Sequence, residues 1–267
     1  MNDSSLDLTG RSVFVTGASA GIGAAVAIGA AERGATVAIC ARRRELVDRV
    51  AAQLQAHSQG SRGYVADLSD LDAIDELAER VDRELGGIDV LMNNVGMPKR
   101  RTVMDLDAVT VDQVMRLNYS SPIRLTLALL PRLIERGGDI INISSVAARL
   151  SPPAEAAYAA SKAALTAWSE SMHVDLGIAG HPVRVHVVNP GVFDTELFDL
   201  PDNDPFTAPV EKLPVGDIVD PILSLIGSDR FEIYVPEWFA DVVGHKFPDT
   251  TAFLAGSINW ARSQAAD

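Results

Sequence analysis

The hydrophobic and polar positions of this chain predict short strands separated by longer helices. Apolar runs of strand length, rich in Val and Ile, occupy positions 12–16, 35–40, 63–66, 88–92, 139–143, 183–188 and 231–235. Patterns of helical type lie near 24–33, 43–57, 70–85, 110–136 and 155–179. This alternation indicates βαβ units, in which a parallel sheet is covered by helices on both faces. We therefore expect an α/β fold with a doubly wound, mostly parallel sheet of seven strands.

A glycine-rich turn joins the first predicted strand to the first predicted helix. The run from Thr16 to Gly23 reads Thr-Gly-Ala-Ser-Ala-Gly-Ile-Gly, and the Ala-rich stretch after it favours a helix. A strand, a glycine turn and a helix start in this order are the context that a dinucleotide-binding site requires. Gly17 permits the tight turn, while Gly21 and Gly23 let backbone approach a pyrophosphate at the helix N-terminus. The alternative is a plain turn between a strand and a helix.

Polar residues also follow the carboxyl ends of later predicted strands. The segments after strands three to six are, in order, Asp67, residues 93–96, Ser144 with Ser145, and residues 189–191. Open α/β sheets bind ligands outside these strand ends. We therefore expect these segments and the glycine turn to converge on one crevice.

Tyr158 and Lys162 stand four positions apart in a predicted helix, so their side chains share one face. An ammonium group near a phenol favours the phenolate and lowers the pKa of the phenol from its usual value. A tyrosine of this kind can exchange a proton with an alcohol or carbonyl oxygen. The spacing alone also occurs on ordinary exposed helix faces, so it gains weight only from the motifs upstream.

With these motifs the chain resembles the short-chain dehydrogenases/reductases. Its glycine pattern has that family's form, Thr-Gly-x-x-x-Gly-x-Gly, and the resemblance extends over about residues 10 to 195. The further matching segments are Asp67-Leu68, Asn93-Asn94-Val95-Gly96, Asn118, Asn142-Ile-Ser-Ser145, Tyr158-Ala-Ala-Ser-Lys162, and Asn189-Pro-Gly191 with Thr195. Val95 departs from the alanine that the family usually carries. The resemblance implies a Rossmann fold and an enzyme that transfers a hydride between a nicotinamide cofactor and a carbonyl or secondary alcohol.

The resemblance also implies roles for four catalytic residues. Tyr158 would exchange a proton with the substrate oxygen, and Ser145 would hydrogen-bond that oxygen. Lys162 would hold the hydroxyls of the nicotinamide ribose and keep the pKa of Tyr158 low. Asn118 would anchor a water molecule that links Lys162 to solvent. Ser144 competes with Ser145, but the spacing of thirteen residues to Tyr158 favours Ser145.

The cofactor contacts implied by the resemblance are spread over the same crevice. Asp67 and Leu68 resemble the pair that grips the adenine ring, and Asn94 would face the adenine ribose. Val192 and Thr195 would hold the carboxamide. The contacts expected from the glycine turn are Gly17, Ser19, Gly21, Ile22 and Gly23.

The end of the second predicted strand indicates which dinucleotide binds. Enzymes that prefer NAD(H) place an acidic residue there for the ribose hydroxyl. This chain has Ala41 at that position, followed by three arginines. Because the planar guanidinium matches a phosphate, we predict NADP(H), with Arg42 as the principal contact of the 2′-phosphate and Arg43 in support. The alternative interpretation treats the arginines as a solvated helix start, and Arg44 fits that description.

Composition narrows the class of protein. The 267 residues contain 36 acidic and 23 basic side chains, and the net charge of −13 disfavours binding to nucleic acid or anionic membranes. Cys40 is the only cysteine, which excludes an internal disulfide and fits a cytoplasmic protein. The five histidines form no short metal-ligand pair, so we predict no metal. No linker or repeat divides the sequence, and we expect one domain over residues 1–267.

Substrate selection depends on less readable segments. We expect a variable lid near 192–214 and a C-terminal extension near 236–267, whose aromatic residues either pack on the same chain or on a partner, or cap the pocket. The residues that could line an apolar substrate pocket are Met97, Leu150, Pro152, Phe193, Leu197 and Phe198. The basic run 99–101 is either a solvated turn or a contact for an acidic substrate.

The sequence therefore predicts an NADP(H)-dependent oxidoreductase acting on a small apolar carbonyl compound or alcohol. The same chemistry with NAD(H), and a non-catalytic NADP(H)-sensing protein, remain alternatives. The many alanines of the helix that carries Tyr158 allow close helix packing, and the family resemblance implies a homodimer or homotetramer.

Overall fold

The computed structural model describes residues 6–206 and 210–264, with the side chains of Phe198 and Gln264 excepted. Three predicted roles therefore lie outside the described residues. These are the roles of residues 207–209 in the lid, of 265–267 in the C-terminal extension and of the Phe198 side chain in the pocket. The strands are β1 (Ser12–Thr16), β2 (Thr36–Ala41), β3 (Arg62–Val65), β4 (Val90–Asn93), β5 (Gly138–Ile143), β6 (Val183–Pro190) and β7 (Glu232–Val235). The helices are α1 (Gly21–Glu32), α2 (Arg44–His57), α3 (Ile74–Leu85), α4 (Ala108–Met115), α5 (Ser121–Arg136), α6 (Ala147–Leu150), α7 (Ala156–Ala179), α8 (Val219–Leu223), α9 (Phe239–Lys246) and α10 (Thr250–Gln264).

The seven strands form one sheet in the order β3-β2-β1-β4-β5-β6-β7, and every neighbouring pair is parallel. The predicted fold class is confirmed, and "mostly parallel" becomes entirely parallel within the described chain. The strand order reverses between β1 and β4, which is where sheets of this type open a ligand crevice.

The core lies in two layers, because successive residues of each buried strand point to opposite faces of the sheet. Val13 and Val15 of β1 face one layer, which contains residues of α1, α2 and α8. Phe14, between them, faces the other layer, which contains residues of α3, α5 and α7. Both faces are thus covered, and this explains why the central strands read as continuous apolar runs.

The helix expected over 110–136 contains an irregular turn. Residues Arg116–Ser120 between α4 and α5 form a π-helical turn, and the amide of Ser121 donates to the carbonyl of Arg116. Widened turns of this kind insert one residue into a helix and often lie beside functional sites. Here the turn carries Asn118, which is fully buried.

No helix in the part of the chain that the structure describes is long and apolar enough to cross a bilayer.

Candidate active site

A cavity of about 690 Å³ opens at the carboxyl ends of the strands. Its wall is formed by the segments that follow β1, β2, β3, β4, β5 and β6, together with the start of α7. The volume is within the range of small-molecule and cofactor sites. The predicted convergence of scattered motif residues on one crevice therefore agrees with the geometry.

The glycine turn forms one end of the cavity. Gly17 and Gly21 have φ of +65° and +57°, a backbone region that favours glycine. The amide of Gly17 donates to the carbonyl of Cys40 (2.9 Å), which ties the turn to the end of β2. A Cβ added to Gly21 would lie 3.2 Å from Thr195 Cγ2, so a larger residue would crowd Thr195. With glycine here, the backbone itself forms this part of the cavity wall. This shape fits a pyrophosphate held by the amide groups at the start of α1.

The other predicted residues of this turn divide into two groups. Ser19 and Ile22 lie on the cavity wall, as expected. Gly23 does not: it lies behind the wall, where a Cβ would collide with Asn94 Nδ2 and would lie 2.9 Å from the carbonyl oxygen of Gly17. Gly23 therefore permits close packing of α1 beneath the turn, and the prediction that it approaches a phosphate is corrected.

Asn94 is on the wall but has a structural task that the sequence did not reveal. Its Nδ2 donates to the carbonyl oxygens of Thr16 (2.9 Å) and Gly17 (3.2 Å). The Thr16 hydroxyl in turn accepts from the amides of Asn94 (3.0 Å) and Val95 (3.1 Å). These contacts fasten the loop after β4 to the glycine turn across the switch point of the sheet.

The end of the cavity at which we predicted the adenine contains Arg42, Arg43, Asp67 and Leu68. Asp67 accepts from the amide and the hydroxyl of Ser69 (2.9 and 2.8 Å). Burial alone would raise the pKa of Asp67, but these hydrogen bonds and the charge of Arg42 lower it. Leu68 is buried against the core and presents only part of its surface to the cavity.

The two arginines differ in their surroundings. Arg42 is exposed at the wall, whereas Arg43 donates to Glu196 (2.7 Å) across the cavity. Both partners of that ion pair are more than half exposed (52% and 59%). Arg42 is thus the better placed of the two for a 2′-phosphate, and Arg43 must exchange its carboxylate partner to support it.

Tyr158, Ser145 and Lys162 meet at the other end of the cavity. The Ser145 hydroxyl lies close enough to the Tyr158 hydroxyl to influence its pKa, and it also accepts from the amide of Ala147 (3.1 Å). Lys162 Nζ lies 6.0 Å from the centre of the Tyr158 ring and donates to the carbonyl oxygen of Ile143 (2.7 Å). The three side chains come from the end of β5 and from one face of α7, as the sequence predicts.

The pKa values of this group differ from the prediction. Burial raises the pKa of Tyr158, and the nearby carboxyl of Glu155 raises it further, while the Ser145 hydroxyl acts in the opposite direction. Burial also lowers the pKa of Lys162 to about 8. The expectation that Lys162 depresses the pKa of Tyr158 is therefore wrong for this arrangement, because the ammonium is directed at the Ile143 carbonyl and is itself desolvated.

The choice between Ser144 and Ser145 follows from their partners. Ser144 Oγ is buried and is hydrogen-bonded to Thr166 Oγ1 (2.7 Å) and to the carbonyl of Lys162 (3.2 Å), so its hydroxyl serves the packing of α7. Ser145 faces Tyr158. The geometry thus favours Ser145 as the residue that contacts a substrate oxygen.

Asn118 lies behind the cavity wall. Its Oδ1 accepts from the amide of Met97 (2.8 Å), and its Nδ2 donates to the Met97 carbonyl (2.9 Å) and to Ser161 Oγ (3.0 Å). The side chain is therefore engaged by protein atoms, and the role of Asn118 in anchoring a water molecule that links Lys162 to solvent stays a prediction. Asn118 nevertheless lies near Lys162, because both side chains approach Gly96. A Cβ added to Gly96 would lie 3.3 Å from Lys162 Nζ and 3.5 Å from Asn118 Oδ1.

The two ends of the predicted lid segment are held together by a parallel β-bridge between Phe193 and Leu213. Val192 and Thr195 lie on the cavity wall near this bridge. The basic run 99–101 binds the same segment: Lys99 and Arg101 both form ion pairs with Asp202 (2.6 Å each). Lys99 and Arg100 are buried. The run is therefore not a solvated turn, and because Arg100 lies on the cavity wall, a contact for an acidic substrate stays a prediction.

The substrate end of the cavity is mostly apolar. Leu150, Pro152, Phe193 and Leu197 line it as predicted, whereas Met97 packs into the core. The C-terminal extension combines both expected roles. Phe239 is buried against Gly191 and lines the cavity, and Trp260 reaches the wall from α10. Trp238 and Phe247 remain more than half exposed, so this chain does not cover them, and their packing on a partner stays a prediction.

Sequence reasoning missed a charged residue of the wall, Glu155. Arg100 was named beforehand, but only as one member of the basic run. Glu155 stands three positions before Tyr158, a helical spacing that places both residues on one face and could have revealed it.

The chain matches the model of the short chain dehydrogenase family over residues 11–204. It is 32% identical over 253 residues to the 3-oxoacyl-[acyl-carrier-protein] reductase of Thermotoga maritima, covering 94% of this chain and 96% of that protein. It is 39% identical over 203 residues to a fatty acyl-CoA reductase of Mycobacterium tuberculosis, covering 73% of this chain and 69% of that one. It spans only 50% of an uncharacterised oxidoreductase of Mycobacterium bovis.

Two solved structures extend the comparison. A short chain dehydrogenase from Burkholderia cenocepacia in complex with NADP has a TM-score of 0.80 and 28% identity, covering 94% of this chain and 99% of that chain. A short chain dehydrogenase/reductase from Burkholderia phymatum in complex with NAD has a TM-score of 0.84 and covers 92% and 95% of the two chains. Its 22% identity supports the fold alone.

Proposed function

Because the chain belongs to the short-chain dehydrogenase family of oxidoreductases, we propose that it transfers a hydride between NADP(H) and the carbonyl or secondary alcohol of a small, mainly apolar molecule. The observation that carries this proposal is the meeting of Tyr158, Ser145 and Lys162 at one end of the cavity whose other end is the glycine turn. One continuous cavity extends from the glycine turn to Tyr158, which suits a dinucleotide with a substrate beside it.

The residues of this chain would hold the cofactor from several sides. The backbone of Gly17 and Gly21 would receive the pyrophosphate, and Arg42 the 2′-phosphate. Val192 and Thr195 would lie beside the carboxamide. When bound, the reduced nicotinamide supplies the hydride and the oxidised form accepts it.

Tyr158 would give its proton to the carbonyl oxygen during reduction. Burial and Glu155 raise its pKa, so the hydroxyl remains protonated at neutral pH, which is the form that an acid catalyst requires. Ser145 would hydrogen-bond the same oxygen. Lys162 would then replace the Tyr158 proton, directly or through a solvent path, since its own pKa of about 8 allows proton exchange near neutral pH.

Use of NAD(H) is the second candidate. Arg43 is already paired with Glu196, so only Arg42 faces the cavity without such a partner among the described residues. One arginine gives weaker selection for the 2′-phosphate than two. The missing acidic residue at Ala41 still favours NADP(H).

The catalytic assignment is tested with Tyr158→Phe. Oxidation of NADPH and NADH is followed with a panel of carbonyl compounds: simple ketones, 3-oxoacyl thioesters and acyl thioesters, the last two carrying the groups named in two of the relatives. We expect turnover to fall by at least about a hundredfold while the dissociation constant of NADPH changes little. Tyr64→Phe, which removes a hydroxyl outside the cavity wall, is the matched control. Equal turnover in the wild type and Tyr158→Phe would contradict the proposal.

We also propose a homodimer or homotetramer and a lid near 192–214. Ile178 and Val174 of α7 are exposed apolar residues (82% and 55%), which is consistent with coverage by another copy. Light scattering coupled to size-exclusion chromatography measures the mass directly, and a monomer at micromolar concentration would contradict the first of these proposals.

A further inference from the structure

Glu155 occupies the cap position of α7 without capping it. Its backbone precedes the first helical residue, and its side chain makes no hydrogen bond to the helix amides. Glutamate is not among the residues that favour this position, which are Ser, Thr, Asp and Asn. Helix formation therefore does not explain why a glutamate stands here.

Glu155 lies on the cavity wall instead, and its carboxyl is close enough to Tyr158 for its charge to act on that hydroxyl. Within residues 6–206 and 210–264 it has no hydrogen bond or ion pair with another side chain or with backbone. Its neighbours on the wall are mostly apolar, and include Leu150, Pro152 and Pro153. Burial raises the pKa of this carboxyl, and the charge of Arg100 only partly opposes that effect.

The backbone that holds Glu155 is strained. Ala154, immediately before it, has φ of +59°, and Ser151 has φ of +56°. A non-glycine residue in this region costs roughly 1–2 kcal/mol. The carbonyl of Ala154 accepts from the amide of Arg101 (2.6 Å), so the unusual conformation is fixed from the neighbouring loop. Strain of this kind is found where the position of a side chain matters.

A substrate that fills this end of the cavity displaces water from the carboxyl. A buried polar group left without a partner costs about 1–3 kcal/mol, so the site disfavours ligands that offer no hydrogen-bond donor. An ammonium group is disfavoured as the donor because Arg100 contributes a positive charge at the same wall. A neutral hydroxyl satisfies the carboxyl without that repulsion.

We propose that Glu155 is a specificity-determining residue that hydrogen-bonds a hydroxyl group on the substrate, close to the reacting carbonyl. The inference rests on the proposed function, because Tyr158 defines the position of that carbonyl. Glu155 directly precedes α7, three positions before Tyr158, and its charge acts on the Tyr158 hydroxyl, so we place the substrate hydroxyl roughly two or three carbons from the carbonyl carbon. The substrate class is therefore a hydroxy ketone, or a diol in the direction of oxidation.

The test uses two ketones that differ by one hydroxyl, diacetone alcohol and methyl isobutyl ketone. Diacetone alcohol carries a tertiary hydroxyl that cannot itself be oxidised to a ketone. For the wild type we expect kcat/KM to be about tenfold higher with diacetone alcohol, which corresponds to one hydrogen bond. In Glu155→Leu the ratio of the two constants should fall to about one, and in Glu155→Gln, which retains hydrogen-bonding groups, it should be intermediate. Circular dichroism and NADPH titration check that both variants fold.

Calorimetric titration of the same two ketones into the protein with oxidised cofactor separates this inference from the proposed function. A binding preference for diacetone alcohol that disappears in Glu155→Leu supports the inference, even if neither ketone is reduced, in which case the proposed function fails. Reduction of both ketones with a ratio near one in the wild type, or an unchanged ratio in Glu155→Leu, overturns the inference and leaves the proposed function standing.

Discussion

At the scale of single residues, Arg42 and Arg43 are neighbours in sequence with unequal freedom to bind a ligand. The pair between Arg43 and Glu196 is exposed on both sides, and such pairs contribute about 0–1 kcal/mol. It can therefore be broken when a stronger anion arrives. Arg42 forms no ion pair of this kind among the described residues, although its charge acts on the nearby Asp67 carboxyl, and we propose that it is the main contact of a 2′-phosphate.

The first prediction concerns this choice. Arg42→Ala should weaken NADPH binding about tenfold to a hundredfold, since a charge-assisted contact to a phosphate is lost, and should change NADH binding much less. Fluorescence titration of both cofactors measures the two constants. Arg44→Ala, the neighbouring exposed arginine at the start of α2, is the control. Equal weakening of NADPH and NADH would reject the assignment of Arg42.

The second prediction concerns the pH dependence of stability at Glu155. Its pKa is raised in the folded protein, so the folded state binds this proton more tightly than the unfolded state does. The contribution to stability is full below the pKa of the unfolded chain and is lost as the pH rises through the folded pKa. Glu155→Gln should therefore melt at a higher temperature than the wild type at pH 8, and the difference should shrink towards pH 4.

Thermal unfolding across this pH range measures the difference. Glu135→Gln, an exposed carboxylate of α5, is the control and should show no such trend. A wild type that is the more stable of the two at pH 8 would contradict a penalty for ionising Glu155.

At the scale of elements, the loop after β4 and the predicted lid are joined by charges. Asp202 accepts from Lys99 and Arg101, and Asn203 Oδ1 accepts from the amide of Arg100 (2.7 Å). Lys99 is only 6% exposed, so its ammonium depends on Asp202 more than a surface lysine would. The basic run thus anchors the segment after β6, several residues of which line the apolar end of the cavity.

The third prediction follows from this anchoring. Asp202→Asn should loosen residues 192–206, because it removes the charge that holds Lys99 and Arg101. We expect limited proteolysis to cut this segment several times faster, with cut sites identified by mass spectrometry. Asp175→Asn, on the exposed face of α7, serves as the control. Unchanged cleavage would show that the ion pairs do not restrain the segment.

The opposite end of the sheet has a different charged cluster. Asp139 of β5 is buried and accepts from Arg184 Nε (2.8 Å), His186 Nε2 (2.9 Å) and the amide of Gly227 (3.1 Å). Burial alone would raise its pKa, but the hydrogen bonds from His186, Arg184 and Gly227 lower it. Its contribution to stability is therefore present at neutral pH and is lost as the pH falls through the folded pKa.

The fourth prediction is that Asp139→Asn lowers the free energy of unfolding by about 3 kcal/mol, as expected when one partner of a buried charge cluster is removed. Urea denaturation at pH 7 measures it. The cofactor affinity should remain close to that of the wild type, because Asp139 lies at the start of β5 and the cavity at its end. A loss below about 0.5 kcal/mol would show that the cluster is energetically neutral.

At the scale of the whole molecule, cofactor binding and folding are linked. A ligand at about a hundred times its dissociation constant adds about 2.7 kcal/mol to the free energy of unfolding. For a chain of this length, the fifth prediction is an increase in melting temperature of roughly 5–10 °C with NADPH. NADPH should raise the melting temperature of Asp139→Asn by the same amount, because the free-energy effects of distant sites are additive. A smaller increment in that variant would indicate that the two ends of the sheet are coupled.

Much of this architecture could be predicted from local features of the sequence. The seven strands, the glycine turn before α1 and the shared face of Tyr158 and Lys162 all depend on periodicity or on spacing within a few residues. Such features act over one strand or a few helical turns, and they can be recognised without knowledge of the tertiary contacts. The rule that ligands bind at the carboxyl ends of parallel strands then located the crevice.

The partners of the side chains were decided only by the tertiary structure. Asn118 is engaged by Met97 and Ser161, Arg43 by Glu196, and Lys99 by Asp202, and all of these contacts join residues that are far apart in sequence. Burial is equally non-local, and it raises the pKa of Tyr158 where the sequence suggested a lowered value. The sequence by itself determined which chemical groups reach the crevice, because their positions follow from secondary structure. Their ionisation and hydrogen bonding depend on solvent exclusion and distance, which arise only when the chain is packed.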